Sequence, residues 1–525
     1  MRLRKSDGKT RLRRDWSDTL EQDGCNSPQA VHHTAGAYYE GERSSSDHPV
    51  NAYGIDTPPQ RGIITFNGDL MNTYDIVKSC RRLHFIGIGG VSMSSLAAVS
   101  QNHGYEVSGS DMNDSLVIRR LRSRGITIFS GHEASNVDDV DAVIYTAAVD
   151  GTNPELARAA ERGIPCITRA QYLGGIMQDY SHRIGVSGTH GKSSTTSMLT
   201  SIFLAANANP TIFCGAETEG LDGTFRVGST KWFIYESCEH KDSFLQFSPT
   251  TSVILNIDLD HVDYFADTGA LVKSFAKSIE GADIAVANWD DENVRRATEK
   301  FGGKVIKISV SGHPDADYAA ENITYERGMG AFDWLCRGEY IGRVQLAIPG
   351  QHNIYNAMCA IATAHSLGLI SADIIRGIEA FRGTKRRFER KGELITTSGA
   401  VDIFDDYAHH PVEIEATLQA AAKLGYSKVW CIYQPHTYSR TKHLGAEMVE
   451  ALRLADEVIL TDIYAARETP IEGVSSHNLA ADLPGARVIS SFADIAEYIR
   501  QNARAGEMVI TVGAGDVVKV ADMLV

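Results

Sequence analysis

The pattern of apolar and polar positions divides the chain in two. From Arg82 onward, short apolar runs read as strands, and most of them lead into a glycine-rich or acidic turn and then a helical stretch. Strands are predicted from Leu83 and at 106–109, 127–129, 142–146, 165–168, 184–186 and 231–236, then from Ser252 and Val401 and at 429–433, 458–461 and 508–512. Helices are predicted at 153–163 and 193–206, after Ile348, and from about Pro411. This alternation gives an α/β class. Residues 282–340 read as mixed strand and turn without chemistry. Before Arg82 the pattern fails. Residues 1–14 are basic, and 22–61 are rich in Ser, Gly, Asp, His and Pro with no sustained apolar period. Residues 1–75 are therefore expected to form a disordered extension, with Met71 an alternative start.

Length and charge narrow the classes. At 525 residues the chain exceeds one core, and domains are expected at 76–180, 181–384 and 385–525. A formal net charge of -15 weighs against a nucleic-acid partner. The eight cysteines contain no C-x-x-C pair and read as free thiols in a reducing cytoplasm. No apolar run approaches a membrane span, so a soluble, cytoplasmic protein is expected, either monomer or homodimer.

The most informative stretch is Ile184-Gly-Val-Ser-Gly-Thr-His-Gly-Lys-Ser-Ser194. It departs from G-x-x-x-x-G-K-[ST], since Val186 stands at the first glycine position. Strand, glycine turn, Lys192, hydroxyl and helix nevertheless occur in the order that cradles a triphosphate, with Lys192 for the β/γ-phosphates and Ser193 for Mg²⁺. Two acidic clusters follow strands: Glu236 with Glu239, and Asp258, Asp260, His261 and Asp263. Each alone reads equally as a solvated loop, but two beside a phosphate loop favour a metal site. His261 would be an unusual ligand for a hard cation.

The remaining motifs are weaker. Gly87, Gly89 and Gly90, with Asp111 ending the next strand, leave a nicotinamide dinucleotide site open. Asn353 and Asn356 share a helix face and read as adenine contacts or as capping residues. A basic hinge, Arg382 to Arg387, precedes Asp405-Asp-Tyr-Ala-His-His410 and Gln434-Pro-His-Thr-Tyr-Ser-Arg440, both at strand ends.

Together HFIGIGGVSMS, SGTHGKSSTTSM, YESCEHKDSFL, NIDLDHVDYF, GQHNIYNA, GTKRRFE, DDYAHHP, QPHTYSR and VGAGD make the chain resemble the Mur ligases, ATP-dependent amide-bond formers of the bacterial cell wall. The likeness runs from about Leu83 to the C-terminus. It implies a three-domain architecture: a Rossmann-like N-terminal domain for a UDP-sugar, a P-loop ATPase-like central domain for ATP, and a Rossmann-like C-terminal domain for an amino acid. The implied reaction joins L-alanine to the lactyl carboxylate of UDP-N-acetylmuramate through an acyl phosphate, for peptidoglycan synthesis, with ATP and Mg²⁺. By the same resemblance, Gly87, Gly89, Gly90 and Asp111 serve the UDP-sugar. Gly188, Thr189, His190, Gly191, Lys192, Ser193, Ser194, Asn353, Asn356, Asp406 and Tyr407 serve the nucleotide. Ser193, Glu236 and His261 would ligate Mg²⁺. Lys192, Glu236, His261, Arg387, His436 and Arg440 form the catalytic set, with His436 and Arg440 beside the amino acid and the acyl phosphate. Many relatives carry Glu-Ala-Asp-Glu-Ser-Asp where this chain has Glu236-Ser-Cys-Glu-His-Lys241. Three other readings stay in play: a ligase of the same fold that recycles a whole peptide, a nicotinamide-dependent oxidoreductase, and a non-catalytic ATP-binding regulator.

Overall fold

The structure, a computed structural model, describes residues 70–146, 149, 151–261 and 264–525, all within one compact unit. The extension read at 1–75 lies outside the described residues as far as residue 69, as does Asp263. Residues 70–75 correct that reading, because a helix spans Leu70–Ser79. Its Val77 is buried against the helix Arg169–Ile176, and Tyr74 and Lys78 both donate to Asp179. The short i, i+3 period of Tyr74 and Val77 is the signal that the polar composition hid.

Three sheets form the frame. The first is parallel throughout, in the order Thr127–Ser130, Glu106–Asp111, Arg82–Ile86, Ala142–Tyr145, Cys166–Thr168. The second has ten strands. Its parallel core runs Ile284–Asn288, Thr251–Ile254, His182–Ser187, Trp232–Glu236, Thr211–Phe213. The third is built on Gly399–Asp406, Met508–Val512, Val429–Tyr433 and Glu457–Leu460, with Glu389–Thr396 antiparallel at one edge. The innermost strands are buried on both faces, which is why they read as unbroken apolar runs.

The stretch 282–340, read as mixed strand and turn, holds the parallel strands Ile284–Asn288 and Lys304–Ser309 with the helix Glu292–Thr298 between them, and then enters an antiparallel meander, Tyr318–Glu326, Met329–Cys336 and Glu339–Pro349, appended to the parallel core. Its two hairpins turn at Arg327-Gly328 and Arg337-Gly338, with φ of 46° and 74°, and of 50° and 80°. Both central residues are left-handed, as tight hairpins require.

On the central sheet, the helices Lys192–Ala205, His352–Ser366 and Ser371–Ala380 pack together. Gly377 permits their close approach: a Cβ there would lie 2.5 Å from the Ile202 Cα. The seven described cysteines are all free thiols. No described helix is long and apolar enough to cross a membrane.

Candidate active site

The strand His182–Ser187 delivers the phosphate-type loop to the centre of the second sheet, and the helix Lys192–Ala205 leaves it. Gly188 and Gly191 have φ of 141° and 84°. A Cβ would come within 2.9 Å of Leu255 Cβ at Gly188 and within 2.5 Å of Asn356 Oδ1 at Gly191, so the turn needs glycine on both grounds. The loop is zipped to the segment after the next strand. The Thr189 hydroxyl donates to Asp258 O and accepts from Asp258 N–H, both at 2.9 Å. The His190 N–H donates to Asn256 Oδ1, and Asn256 Nδ2 donates back to His190 O.

Lys192 folds over this loop. Its ammonium donates to Gly188 O, to Thr189 O at 3.1 Å, and to both carboxylate oxygens of buried Glu239 at 3.2 and 3.1 Å. Burial works to lower the Lys192 pKa, but the Glu239 carboxylate outweighs it and the pKa is raised. Of the two acids in the first cluster, Glu239 is thus the one that holds the lysine. Glu236 instead accepts hydrogen bonds from Gly215 N–H and the Cys214 thiol. That thiol also reaches Ser193 O at 3.7 Å, so Ser193 and Glu236 flank one neighbour.

A polar path continues from Glu239 across to the third sheet. His261 Nε2 lies 3.9 Å from Glu239 and 4.0 Å from Asp260. Its φ of 52° is a strained value for a histidine. Arg440 donates to Asp260 Oδ1 at 2.9 Å and lies 3.2 Å from His436 Nδ1. Burial would raise the Asp260 pKa, but the Arg440 guanidinium brings it well below the usual carboxylate range. His436 stacks on Tyr464 at 5.6 Å and neighbours His409 at 5.7 Å. His409 lies 3.3 Å from Glu413, which meets His190 Nδ1 at 3.2 Å and so returns the path to the phosphate-type loop.

Beside this path opens a cavity of about 1230 Å³ between the second and third sheets. His190, Gly191, Ser194, Asn353, Asn356 and Arg387 reach its wall, as do Asp406 and Glu413. Asn353 Nδ2 donates to Pro349 O, and Asn356 Nδ2 donates to Asn353 Oδ1, so each amide serves the helix start while bordering the cavity. Burial raises the Asp406 pKa to about 6, although Arg387 opposes it. Burial also pulls His352, His409 and His436 down to about 4.

The basic hinge divides by role. Arg386 donates to Asp405, Gly513 O and Gly515 O, and so belongs to the third sheet. Arg387 faces the cavity, 3.8 Å from Glu413, and the two guanidinium groups lie 4.9 and 5.1 Å from the Tyr407 ring centre.

The first glycine loop stands apart, on the rim of its own sheet. Gly87 N–H and Ile88 N–H both donate to Ser110 O, and Gly89 N–H donates to Asp111 Oδ2. Asp111 therefore braces the loop, and the helix Val91–Asn102 supplies the donors left for an anion.

Two working residues, Glu413 and Glu155, escaped sequence reasoning, as did the partner of a third, Asp260. Glu413 sits three residues after His410, where a helix-capping acid is expected, and it is that as well. Asp260 carried no sign of a partner 180 residues away. Glu155 is fully buried and bound by His84, His132, Ser110 and Asn136 behind the first loop, with nothing in its surface-like local sequence to mark it.

Family models agree with this three-sheet division. Residues 82–181 match the Mur ligase family catalytic domain, 186–364 the Mur ligase middle domain, and 386–515 the Mur ligase glutamate ligase domain. A UDP-N-acetylmuramate–L-alanine ligase of Acetivibrio thermocellus is 43% identical over 451 residues, covering 84% of this chain and 95% of the relative. One from Alkaliphilus metalliredigens is 43% identical, with coverage of 85% and 97%. The crystal structure of UDP-N-acetylmuramate-alanine ligase MurC from Thermotoga maritima superposes with a TM-score of 0.71 at 29% identity, covering 84% of this chain and 98% of that one.

Proposed function

The chain belongs to the Mur ligase family, and on that premise we propose that it joins L-alanine to the lactyl carboxylate of UDP-N-acetylmuramate in an ATP-dependent reaction through an acyl phosphate. The observation that carries this reading is the run of polar contacts from Lys192 through Glu239, His261, Asp260, Arg440 and His436, because it links a phosphate-type loop to the rim of the third sheet beside a cavity. In the assigned roles, residues 76–180 hold the UDP-sugar, 181–384 the ATP and 385–525 the amino acid, with the reaction taking place in the cytoplasm.

The chain's own groups account for the chemistry by positioning and charge. A carboxylate oxygen forms a bond to the γ-phosphorus and the bond to ADP breaks. The alanine amine then forms the amide as phosphate leaves. Lys192 exchanges Glu239 for the transferring phosphoryl group, and Arg387 neutralises the phosphates from the opposite wall. Asn353, Asn356, Asp406 and Tyr407 border the nucleoside. His436 and Arg440 face the incoming amine. Ser193 and Glu236 would offer the oxygen donors that suit Mg²⁺, whereas His261 offers nitrogen and stands against Glu239. Mg²⁺ held there would draw negative charge off the phosphoryl oxygens.

Phosphate release from ATP tests the reading. Release that requires UDP-N-acetylmuramate and L-alanine together is the expected result. Release with a tripeptide in place of L-alanine would move the assignment to a peptide-recycling ligase, and absence of release with any acceptor would end it. Lys192→Ala should cut turnover by about 10²–10³-fold or more while the UDP-sugar still binds.

A further inference from the structure

Glu413 spans the second and third sheets with a single carboxylate. It stands at the start of the helix Pro411–Ala422, where it completes a capping box with His410. Its Oε2 accepts from the backbone N–H groups of His409 and His410 at 3.2 and 3.4 Å. Capping accounts for that oxygen. The other, Oε1, reaches outside the third sheet. It lies 3.2 Å from His190 Nδ1, on the phosphate-type loop 223 positions earlier, and 3.8 Å from Arg387 Nη1. The side chain is 13% exposed and forms part of the cavity wall. A cap by itself needs neither this burial nor a partner on another sheet.

His190 is held from two sides. Its Nε2 faces Asp258 Oδ2 at 3.6 Å, and its ring centre lies 4.8 Å from that of His410. The His190 backbone N–H and C=O are already bound to Asn256. The imidazole is therefore the part of this residue that the third sheet sets, and Glu413 sets it. On its other side Glu413 Oε2 lies 3.3 Å from His409 Nδ1, and the His409 ring neighbours His436 at 5.7 Å. Arg440–Asp260 also crosses this junction, but it ends on the segment after Thr251–Ile254 and not on the loop. Glu413 thus touches the phosphate-type loop, the arginine assigned to the phosphates, and a histidine beside the residues assigned to the amino acid.

We propose that Glu413 is a positioning residue that sets the phosphate-type loop and the amino-acid residues in register, so that the acyl phosphate forms where the amine reaches it. The inference rests on the reaction proposed above. In this role Glu413 touches no reacting atom. Its negative charge opposes nucleotide binding, because it stands beside Arg387 where the phosphates would lie. Its gain is in rate, since a displacement of about 1 Å at a reacting centre costs about 10²-fold.

The test measures phosphate release with ATP and L-alanine varied in turn, at saturating UDP-N-acetylmuramate and Mg²⁺, for the wild-type chain, Glu413→Gln, His190→Gln and the double variant. Glutamine at 413 keeps the capping box and removes the charge. In Glu413→Gln, kcat should fall by about 10- to 100-fold. The KM for ATP should fall as well, by about two- to fivefold, because a competing negative charge is gone. His190→Gln should give a similar loss of kcat, and the double variant no more than either alone, because both substitutions break one contact. If Glu413→Gln does not fold, His190→Gln carries the same test from the loop side. An unchanged kcat would reduce Glu413 to a cap. A raised KM for ATP would make it a nucleotide-binding residue. Multiplied losses in the double variant would break its link to His190. Each of these overturns the proposal. If the wild-type chain releases no phosphate with UDP-N-acetylmuramate and L-alanine, the proposed reaction fails instead, and the inference fails with it.

Discussion

The two junctions of the central sheet are built from opposite materials. Toward the first sheet the junction is dry. One apolar cluster runs from Val77, Leu173, Ile176 and Tyr180 into Phe233, Tyr235, Phe244 and Phe275, with the Tyr180 and Phe233 ring centres 4.7 Å apart. Toward the third sheet the junction is polar. The third sheet keeps its own cores, and it meets the central sheet through Arg440–Asp260, Glu413–His190 and the cavity wall. Apolar burial is non-directional and tolerates no water, so the first junction behaves as part of a core. Buried ion pairs gain little net energy and are replaceable by ligand charge. The polar junction is therefore the one suited to open for ATP and close over it.

The largest effect should come from breaking the dry junction. Phe233→Ala removes a fully buried ring from between Tyr180 and Tyr235. It should cost about 3–5 kcal/mol in chemical denaturation of the first two domains and leave the third domain's transition in place. A single cooperative loss of all three would show that the junctions are not independent.

Acid should act at the polar junction. His352, His409 and His436 have folded pKa values lowered to about 4, against about 6.5 unfolded, so the unfolded state binds more protons between these values. Stability from them is present above about pH 6.5 and is lost as pH falls toward 4. Asp406, raised to about 6, has the opposite sign and gains stability as pH falls below 6. Three groups outweigh one. Hydrogen exchange at pH 5 should quicken in the helices Pro411–Ala422 and Tyr438–Leu452 relative to pH 7.5, once corrected for intrinsic rates, and stay unchanged in Arg169–Ile176. Equal quickening on both sides would erase the contrast.

The smallest effect marks the edge of the dry junction. Arg124 pairs with Asp222 between the first and second sheets, with both side chains at least a third exposed. Arg124→Gln should shift stability by less than about 1 kcal/mol, read as a change in denaturation midpoint. A larger loss would mean that this junction also leans on charge.

Much of the fold was legible because parallel strands covered on both faces leave unbroken apolar runs. Val429–Tyr433 and Met508–Val512 fall where the runs place them. The meander after Lys304–Ser309 stayed blurred because the burial of its strands follows no clean period and its turns use Arg-Gly, which is not a strong turn signal. The glycine loops and the acids at strand ends were legible for a similar reason: glycine positions that need positive φ or close approach leave a mark at fixed spacing.

What the sequence by itself determined is the set of parts: the strands, the loop at Gly188 to Lys192, and the acids and histidines that follow strands. What tertiary structure decided is which part faces which. Glu239 rather than Glu236 holds Lys192, Arg386 is structural while Arg387 faces the cavity, and Asp111 braces its own loop. Asp260 meets an arginine 180 positions on, and Glu413 joins two sheets from a capping position. Charge carries no sequence period. An ion pair depends on distance in space, and that distance exists once three separately legible sheets have packed.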